Sequence, residues 1–360
     1  MRNSVAGLTV AGLLAIMMSP GAARAGAFSD VFVFGDSLSD TGNIAEAIGA
    51  NFPNPPSFHD SFTNGRVAME VLAEHYGLRA DPSLWPTGFA DIHHLGLTPG
   101  TNYAIGGATA TDRGAGFFFL DLPEQVAAFV GHVGAHNAPS DALYAMLIGG
   151  NDIRTAAHAL NSAFVFSGVS SELTQLQTLI NNGAKDLLVS NVPDVGLIPE
   201  FTQQSPAAED AAARADSVLY DTLLAQGVQA LKAGNPGVTL NYFDLYDFNY
   251  ALLADAAALG FTDTTDPCYD TGGGVPTGAV IATPACGPAD PITGAATNID
   301  HFIYWDSIHP TAHEHALWAQ GLIAASVPEP AALALFGVAM AGLGLARRRS
   351  ASYTSRPAPH

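Results

Sequence analysis

Basic residues are scarce in this chain. Its 360 residues hold two lysines and eleven arginines against 33 aspartates and glutamates. Several arginines lie at the two ends, so residues 26 to 326 keep seven basic and 32 acidic side chains, a formal charge of 7 − 32 = −25. A surface of that sign repels phosphate backbones and excludes a nucleic-acid partner. Cysteine is rarer still: only Cys268 and Cys286 occur, with no third cysteine and no C-x-x-C spacing, which excludes a cysteine-built metal site. The histidines of H-P-T-A-H-E-H (His309, His313, His315) do not follow the H-E-x-x-H helix pattern and have no matching carboxylate cluster, so no metal and no other cofactor is expected. No internal repeat is visible, and no linker divides Phe28 to Ala325.

The longest apolar runs lie at the two ends. Arg2, an apolar centre from Val5 to Met18 and the small-x-small site Ala23-Arg24-Ala25 have the layout of a secretory signal peptide over residues 1–25. At the other end, Val327-Pro328-Glu329-Pro330 precedes an apolar run from Ala331 to Ala346, closed by Arg347-Arg348-Arg349. As a helix its 16 residues would reach about 24 Å, slightly short for a bilayer, with the arginines placed to stay cytoplasmic. A plain tail anchor is one reading. In an exported chain Cys268 and Cys286 are expected to form a disulfide that pins a Gly/Pro/Thr-rich loop, adding roughly 3 kcal/mol; two free thiols are the alternative.

What remains, residues 26–326, is long enough for one large α/β domain. Val31 to Phe34 has the apolar, β-branched and aromatic character of a strand buried on both faces, and it stops abruptly at Gly35-Asp36-Ser37. Ser37 is thereby left at a strand's carboxyl end, where loops of an open α/β sheet form a ligand crevice. Further strands are predicted over Gly100–Thr109, Ala142–Ile148, Lys185–Val192 and Val238–Phe243. Helices are predicted after Thr63, through Leu122, Val126 and Phe129, over Pro206–Ala233, over Leu245–Leu259 and after Pro310. The stretches Phe52–Phe62, Leu78–Gly100 and Gly260–Asn298 read as loops, the last as a variable insertion or lid.

Three strand ends and one late loop carry chemistry. Ser37 offers a hydroxyl nucleophile. Gly106-Gly107 lets the backbone approach an anion, and the amide of Asn151 in G-G-N-D can donate to a developing oxyanion; Asp152 beside it reads as a turn or capping residue. Asp306 and His309, three residues apart, can fix the imidazole tautomer that leaves Nε2 free to take a proton from serine.

The four ordered blocks, G-D-S-L-S-D-T-G-N from Gly35, N-Y-A-I-G-G-A-T from Asn102, G-G-N-D from Gly149 and D-S-I-H from Asp306, resemble those of the GDSL family of serine esterases and lipases, the SGNH hydrolases. The resemblance implies a three-layer α/β/α flavodoxin-like domain with a mainly parallel sheet of five strands. It implies Ser37, Asp306 and His309 as the catalytic residues. The Ser37 N–H, Gly107 (Gly106 being the alternative register) and Asn151 are then the oxyanion donors, and carboxylic esters of lipids, small alcohols or acylated glycans the substrates. An acyltransferase with an alcohol acceptor uses the same residues, and a silent surface-binding protein is the rival of another class. The V-P-E-P tail, residues 327–349, resembles the PEP-CTERM sorting signal of Gram-negative bacteria. It implies export, transient membrane anchoring, handling by a sorting machinery and delivery to the surface or medium, with 350–360 as a polar tail. An autotransporter barrel is excluded, since 360 − 309 = 51 residues after His309 cannot supply eight strands of about ten residues.

Overall fold

Residues Val31–Gly35 form β1, whose five residues are all buried, as the apolar run requires of a strand covered on both faces. In the computed structural model, which describes residues 28–48, 53, 57–85, 99–113, 120–270, 281–283, 286–287 and 297–326, β1 starts a wholly parallel sheet. Its order is β1, β2 (Leu143–Leu147), β3 (Asp186–Ser190) and β4 (Thr239–Phe243). The register aligns Gly35 with Leu147, Leu147 with Ser190, and Ser190 with Phe243. All four carboxyl ends therefore open on one edge.

Four strands stand where five were predicted. The missing one, Gly100–Thr109, runs beside β1 and makes ladder-like bonds, Val33 N–H to the Thr101 carbonyl (3.1 Å), Tyr103 N–H to Val33 (2.7 Å) and Ile105 N–H to Gly35 (3.2 Å). It forms only isolated parallel bridges at Asn102, to Val33 and to Pro82. The cause is local: Asn102 Oδ1 takes the Ala104 N–H (2.9 Å), while its Nδ2 donates to the Ser39 carbonyl (2.6 Å). A side chain that bonds its own neighbouring backbone competes with a regular ladder. Counted in, this segment gives the doubly wound order 2-1-3-4-5, with the reversal point beside β1.

Helices flank both faces. On one, α2 (Ala68–His75), α7 (Leu245–Ala254) and α8 (Ala312–Ser326) pack together, α8 lying against β3 and β4. On the other lie α3 (Leu122–Val133), α4 (Gly150–Ala159), α5 (Ala163–Asn181) and α6 (Ala207–Gly234). A short α1 (Asn43–Ile48) follows the first loop. Sequence reading placed no element at α4 and α5. The inner face of α5 carries Gly168 and Glu172 among its apolar residues, which blurs the helical pattern. Phe129 of α3 meets Phe32 at 4.9 Å and Tyr144 at 5.7 Å between ring centres, locking that helix to the sheet; such pairs add about 0.5–1.5 kcal/mol each beyond area burial.

The late loop has more order than its composition indicates. Within it β5 (Asp263–Pro267) runs parallel to β8 (Phe302–Tyr304), and β6 (Tyr269–Asp270) antiparallel to β7 (Ile281–Ala282). A disulfide joins the buried Cys268 and Cys286 across 5.2 Å between Cα atoms. The segments 1–25 and 327–360 lie outside the described residues. Among the described residues no helix is long and apolar enough to cross a membrane.

Candidate active site

Two loops from opposite ends of the chain meet at the carboxyl edge of β1. After β8 the chain turns through Trp305 to His309 and closes on itself, with Trp305 N–H donating to the His309 carbonyl (2.8 Å) and Thr311 N–H to Ile303 (2.8 Å). In that turn Asp306 Oδ1 accepts the Ile308 and His309 backbone N–H groups at 2.8 and 2.6 Å. A carboxylate so held has no freedom to swing away. The His309 ring sets Nδ1 at 2.9 Å from Asp306 Oδ2 and Nε2 at 2.8 Å from Ser37 Oγ, 272 residues away in sequence. Ser37, Asp306 and His309 are all buried. Thr63 and Asn64 brace the turn from outside: Thr63 Oγ1 donates to the Pro310 carbonyl (3.0 Å), and Asn64 Oδ1 accepts the Ala312 N–H (2.8 Å) at the start of α8. The three histidines of H-P-T-A-H-E-H have separate partners: His313 Nδ1 meets the Asp300 carbonyl (2.7 Å), and His315 Nδ1 accepts the Ala68 N–H (3.3 Å). Burial, with the charge of His309, depresses His315 to about 3.

The nucleophile loop is held mainly by Asp40. Its carboxylate accepts the N–H groups of Gly42 (2.8 Å), Asn43 (2.7 Å), Ile44 (3.2 Å) and Gly106 (2.7 Å), so it ties the first motif to the second. The two glycines differ in their backbone bonding. The Gly106 N–H is occupied, whereas no hydrogen bond from the Gly107 N–H forms among the described residues. A side chain at Gly106 would press within 2.5 Å of the Phe62 ring, which itself leans on His309 at 4.9 Å between centres. Gly107, at φ +80, takes a left-handed conformation that other residues adopt rarely. The Ser37 N–H is likewise unengaged among the described residues.

Asn151 stands in the first turn of α4. Its Nδ2 donates one hydrogen to the Ala108 carbonyl (2.9 Å), and its Oδ1 accepts from Arg154 (2.9 Å), leaving the second Nδ2 hydrogen for a ligand. Arg154 grips Glu200 with two further bonds of 2.6 and 2.8 Å. Burial opposes ionisation of Glu200, yet Arg154 and His158 hold its pKa below the ordinary value. Ser37, Asn151 and His309 line one pocket of about 50 Å³; Gly107 is not on its wall.

Several residues here escaped the sequence reading. Asp152 is a buried clamp, accepting Ala110 N–H (2.8 Å), Thr111 N–H (3.2 Å) and Thr111 Oγ1 (3.0 Å), and so is more than a turn or capping residue. Asp40 and Asn102 lie inside the motifs, and their place there was the available signal. Arg154, Glu200 and Glu314 lie outside them and gave none. Asp36 also lines the pocket, where burial raises its pKa to about 7 against the lowering pull of the Leu38 N–H.

A hydroxyl, an imidazole and a carboxylate in hydrogen-bonded series at the edge of a doubly wound sheet form an arrangement able to carry out nucleophilic acyl transfer. The chain belongs to the GDSL-like lipase/acylhydrolase family, whose description matches residues 31–322, and the PEP-CTERM protein-sorting motif matches residues 326–349. It is similar to a GDSL esterase/lipase of Arabidopsis thaliana, with 26% identity over 84% of this chain and 89% of that one. The thermolabile hemolysin of Vibrio parahaemolyticus is 26% identical over 82% of this chain and 63% of its own length. Among solved structures, an acetylxylan esterase from Geobacillus stearothermophilus aligns with TM-score 0.41 and 13% identity over 84% of this chain and 96% of that one. The protein is thus an ester-bond hydrolase that carries an export-sorting motif.

Proposed function

We propose that the protein is a secreted or surface-delivered serine esterase that works through an acyl-enzyme. The observation that carries this reading is the unbroken series Ser37 Oγ, His309 Nε2, His309 Nδ1, Asp306 Oδ2, with links of 2.8 and 2.9 Å at the wall of a pocket. Ser37 Oγ attacks the ester carbonyl while its proton passes to His309 Nε2. Asp306 accepts the Nδ1–H and stabilises the imidazolium. Negative charge on the carbonyl oxygen is met by the Ser37 and Gly107 N–H groups and the second Nδ2 hydrogen of Asn151. Collapse expels the alcohol, which leaves with the proton from His309. Water then adds to the acyl-Ser37 by the same route in reverse and releases the acid.

Residues 1–25 act as a cleaved signal peptide in this reading, 26–326 as the catalytic domain, and 327–349 as a temporary membrane anchor removed during sorting. The purified mature chain is expected to hydrolyse p-nitrophenyl esters, assayed in graded chain lengths beside phospholipid and acetylated glycan. Activity equal to that of a Ser37→Ala variant on all of them would refute the assignment. Mass spectrometry of protein released by the native host is expected to find no Arg347 to Arg349; their recovery means a permanent anchor.

A further inference from the structure

The pocket lined by Ser37 and His309 is also lined by a carboxyl group with no hydrogen-bond partner among the described residues. Glu314, in the first turn of α8, lines the pocket, is 1% exposed, and has no hydrogen-bond partner for either Oε1 or Oε2 among the described residues. A buried polar group left unpaired costs on the order of 1–3 kcal/mol, so an unfilled one at a pocket wall points to a ligand. Trp318 does not supply the partner, because its indole N–H is donated to Asn249 Oδ1 at 3.1 Å. That bond also fixes the Asn249 amide with its Oδ1 occupied, leaving its NH₂ group as a donor at the same pocket wall. Burial raises the Glu314 pKa well above the ordinary carboxyl value, so the neutral acid presents one donor and one acceptor.

Val192, Val195, Ile198 and Ile308 add apolar surface to the lining, beside the charged Arg154 and Asp194. A volume of about 50 Å³ is a few water-sized steps at about 10–15 Å³ each, room for a short group. During turnover the alcohol must leave and water must enter, whereas the acyl group stays bonded to Ser37; a small pocket lined by Ser37 itself suits the part that stays. A hydroxyl donates once and accepts twice, which matches a neutral carboxyl beside an amide NH₂.

Resting on the esterase reading, we propose that Glu314 and Asn249 form the specificity-determining end of an acyl pocket that selects short acyl groups bearing a hydroxyl, such as a 3-hydroxybutyryl group, over plain alkyl acyl groups. A pocket built to bond a hydroxyl discriminates strongly against the analogue that lacks it, because its own polar groups are then left unpaired.

The test compares p-nitrophenyl butyrate, 3-hydroxybutyrate and 3-aminobutyrate on the full mature protein and its Glu314→Gln and Glu314→Leu variants. The wild type is expected to favour the hydroxy ester over butyrate by about ten-fold or more in kcat/KM. Glu314→Gln, which keeps a donor and an acceptor, should retain a preference, and Glu314→Leu should bring the ratio to about one. A wild-type ratio near one, a ratio untouched by Glu314→Leu, or a preference for the amino ester, which needs an ionised Glu314, overturns the proposal. If Glu314→Leu does not fold, Glu314→Met carries the same comparison. Hydrolysis of none of the three esters above the Ser37→Ala background removes the esterase reading and this proposal together, while hydrolysis without preference removes this proposal alone.

Discussion

Ser37 turns its hydroxyl toward a pocket and His309, so removing that oxygen forfeits little packing. Ser37→Ala is expected to lower esterase activity to background with an unchanged melting temperature, and His309→Ala to be nearly as severe. Asp306→Asn presents an amide to Nδ1 and can hold the wrong tautomer; a loss on the order of 10⁴ in kcat is expected, the size seen for the same change in a serine protease. Asn151→Ala should cost about 10²–10³ in kcat with little change in KM, since its free hydrogen is used only once the oxyanion forms. His313 bonds the Asp300 carbonyl and stacks on Phe261 away from the site, so His313→Ala is expected to keep wild-type kinetics. Arg154 lines the same pocket and donates to Asn151 Oδ1, so on the proposed reading it positions the amide. Arg154→Leu frees the amide and strands Glu200, so kcat should fall about ten-fold with KM nearly constant, at a stability loss of about 1.5–3 kcal/mol. Arg154→Lys, without the two-pronged grip, should restore only part of kcat. An unchanged kcat in Arg154→Leu would show that the amide needs no such brace.

At the scale of elements, the reacting groups depend on a strand that is not in the main sheet. The disulfide segment is stitched to β8 and its turn, with Cys268 N–H donating to the Tyr304 carbonyl (3.0 Å) and Tyr269 N–H to Trp305 (2.9 Å), one residue before Asp306. Replacing Cys268 and Cys286 together by serine should therefore loosen the Asp306–His309 turn as well as the loop. Loss of about 3 kcal/mol is the chain-entropy expectation for a separation of 18 residues. Thermal melts with and without reductant measure it, and kcat should fall along with the melting temperature. A variant with wild-type melting and activity would mean that the loop is held without the bridge.

Across the whole molecule, a row of buried acids sets the response to pH. Burial raises Asp40 and Asp152 to about 6, Asp36 to about 7, Glu172 to about 8 and Asp221 to about 9. Each folded pKa lies above its unfolded value, so between the two the folded chain holds more protons than the unfolded one. Their stabilising contribution is full below about pH 4 and is lost as pH rises toward 9. Glu200, with its lowered pKa, acts in the opposite sense at acid pH. The melting temperature is expected to fall from pH 6 to pH 9, and Glu172→Gln with Asp221→Asn should flatten that fall. A melting temperature that climbs over the same range would contradict the assignment.

The sequence by itself determined β1 and β2 and the Leu187–Val189 centre of β3, because a strand buried on both faces needs a continuous apolar run. It also determined the local pair Asp306 and His309, since three residues of one turn suffice to bring carboxylate and imidazole together. Only the tertiary structure decided what lies between distant segments. Asp40 reaching Gly106, Arg154 reaching Glu200, and Glu314 reaching the pocket of Ser37 have no period or spacing to announce them, because a hydrogen bond across 46 or 66 residues leaves no local pattern. The fifth strand was lost for the same reason: whether Asn102 bonds a ladder or its own loop depends on where Ser39 and β1 have been placed.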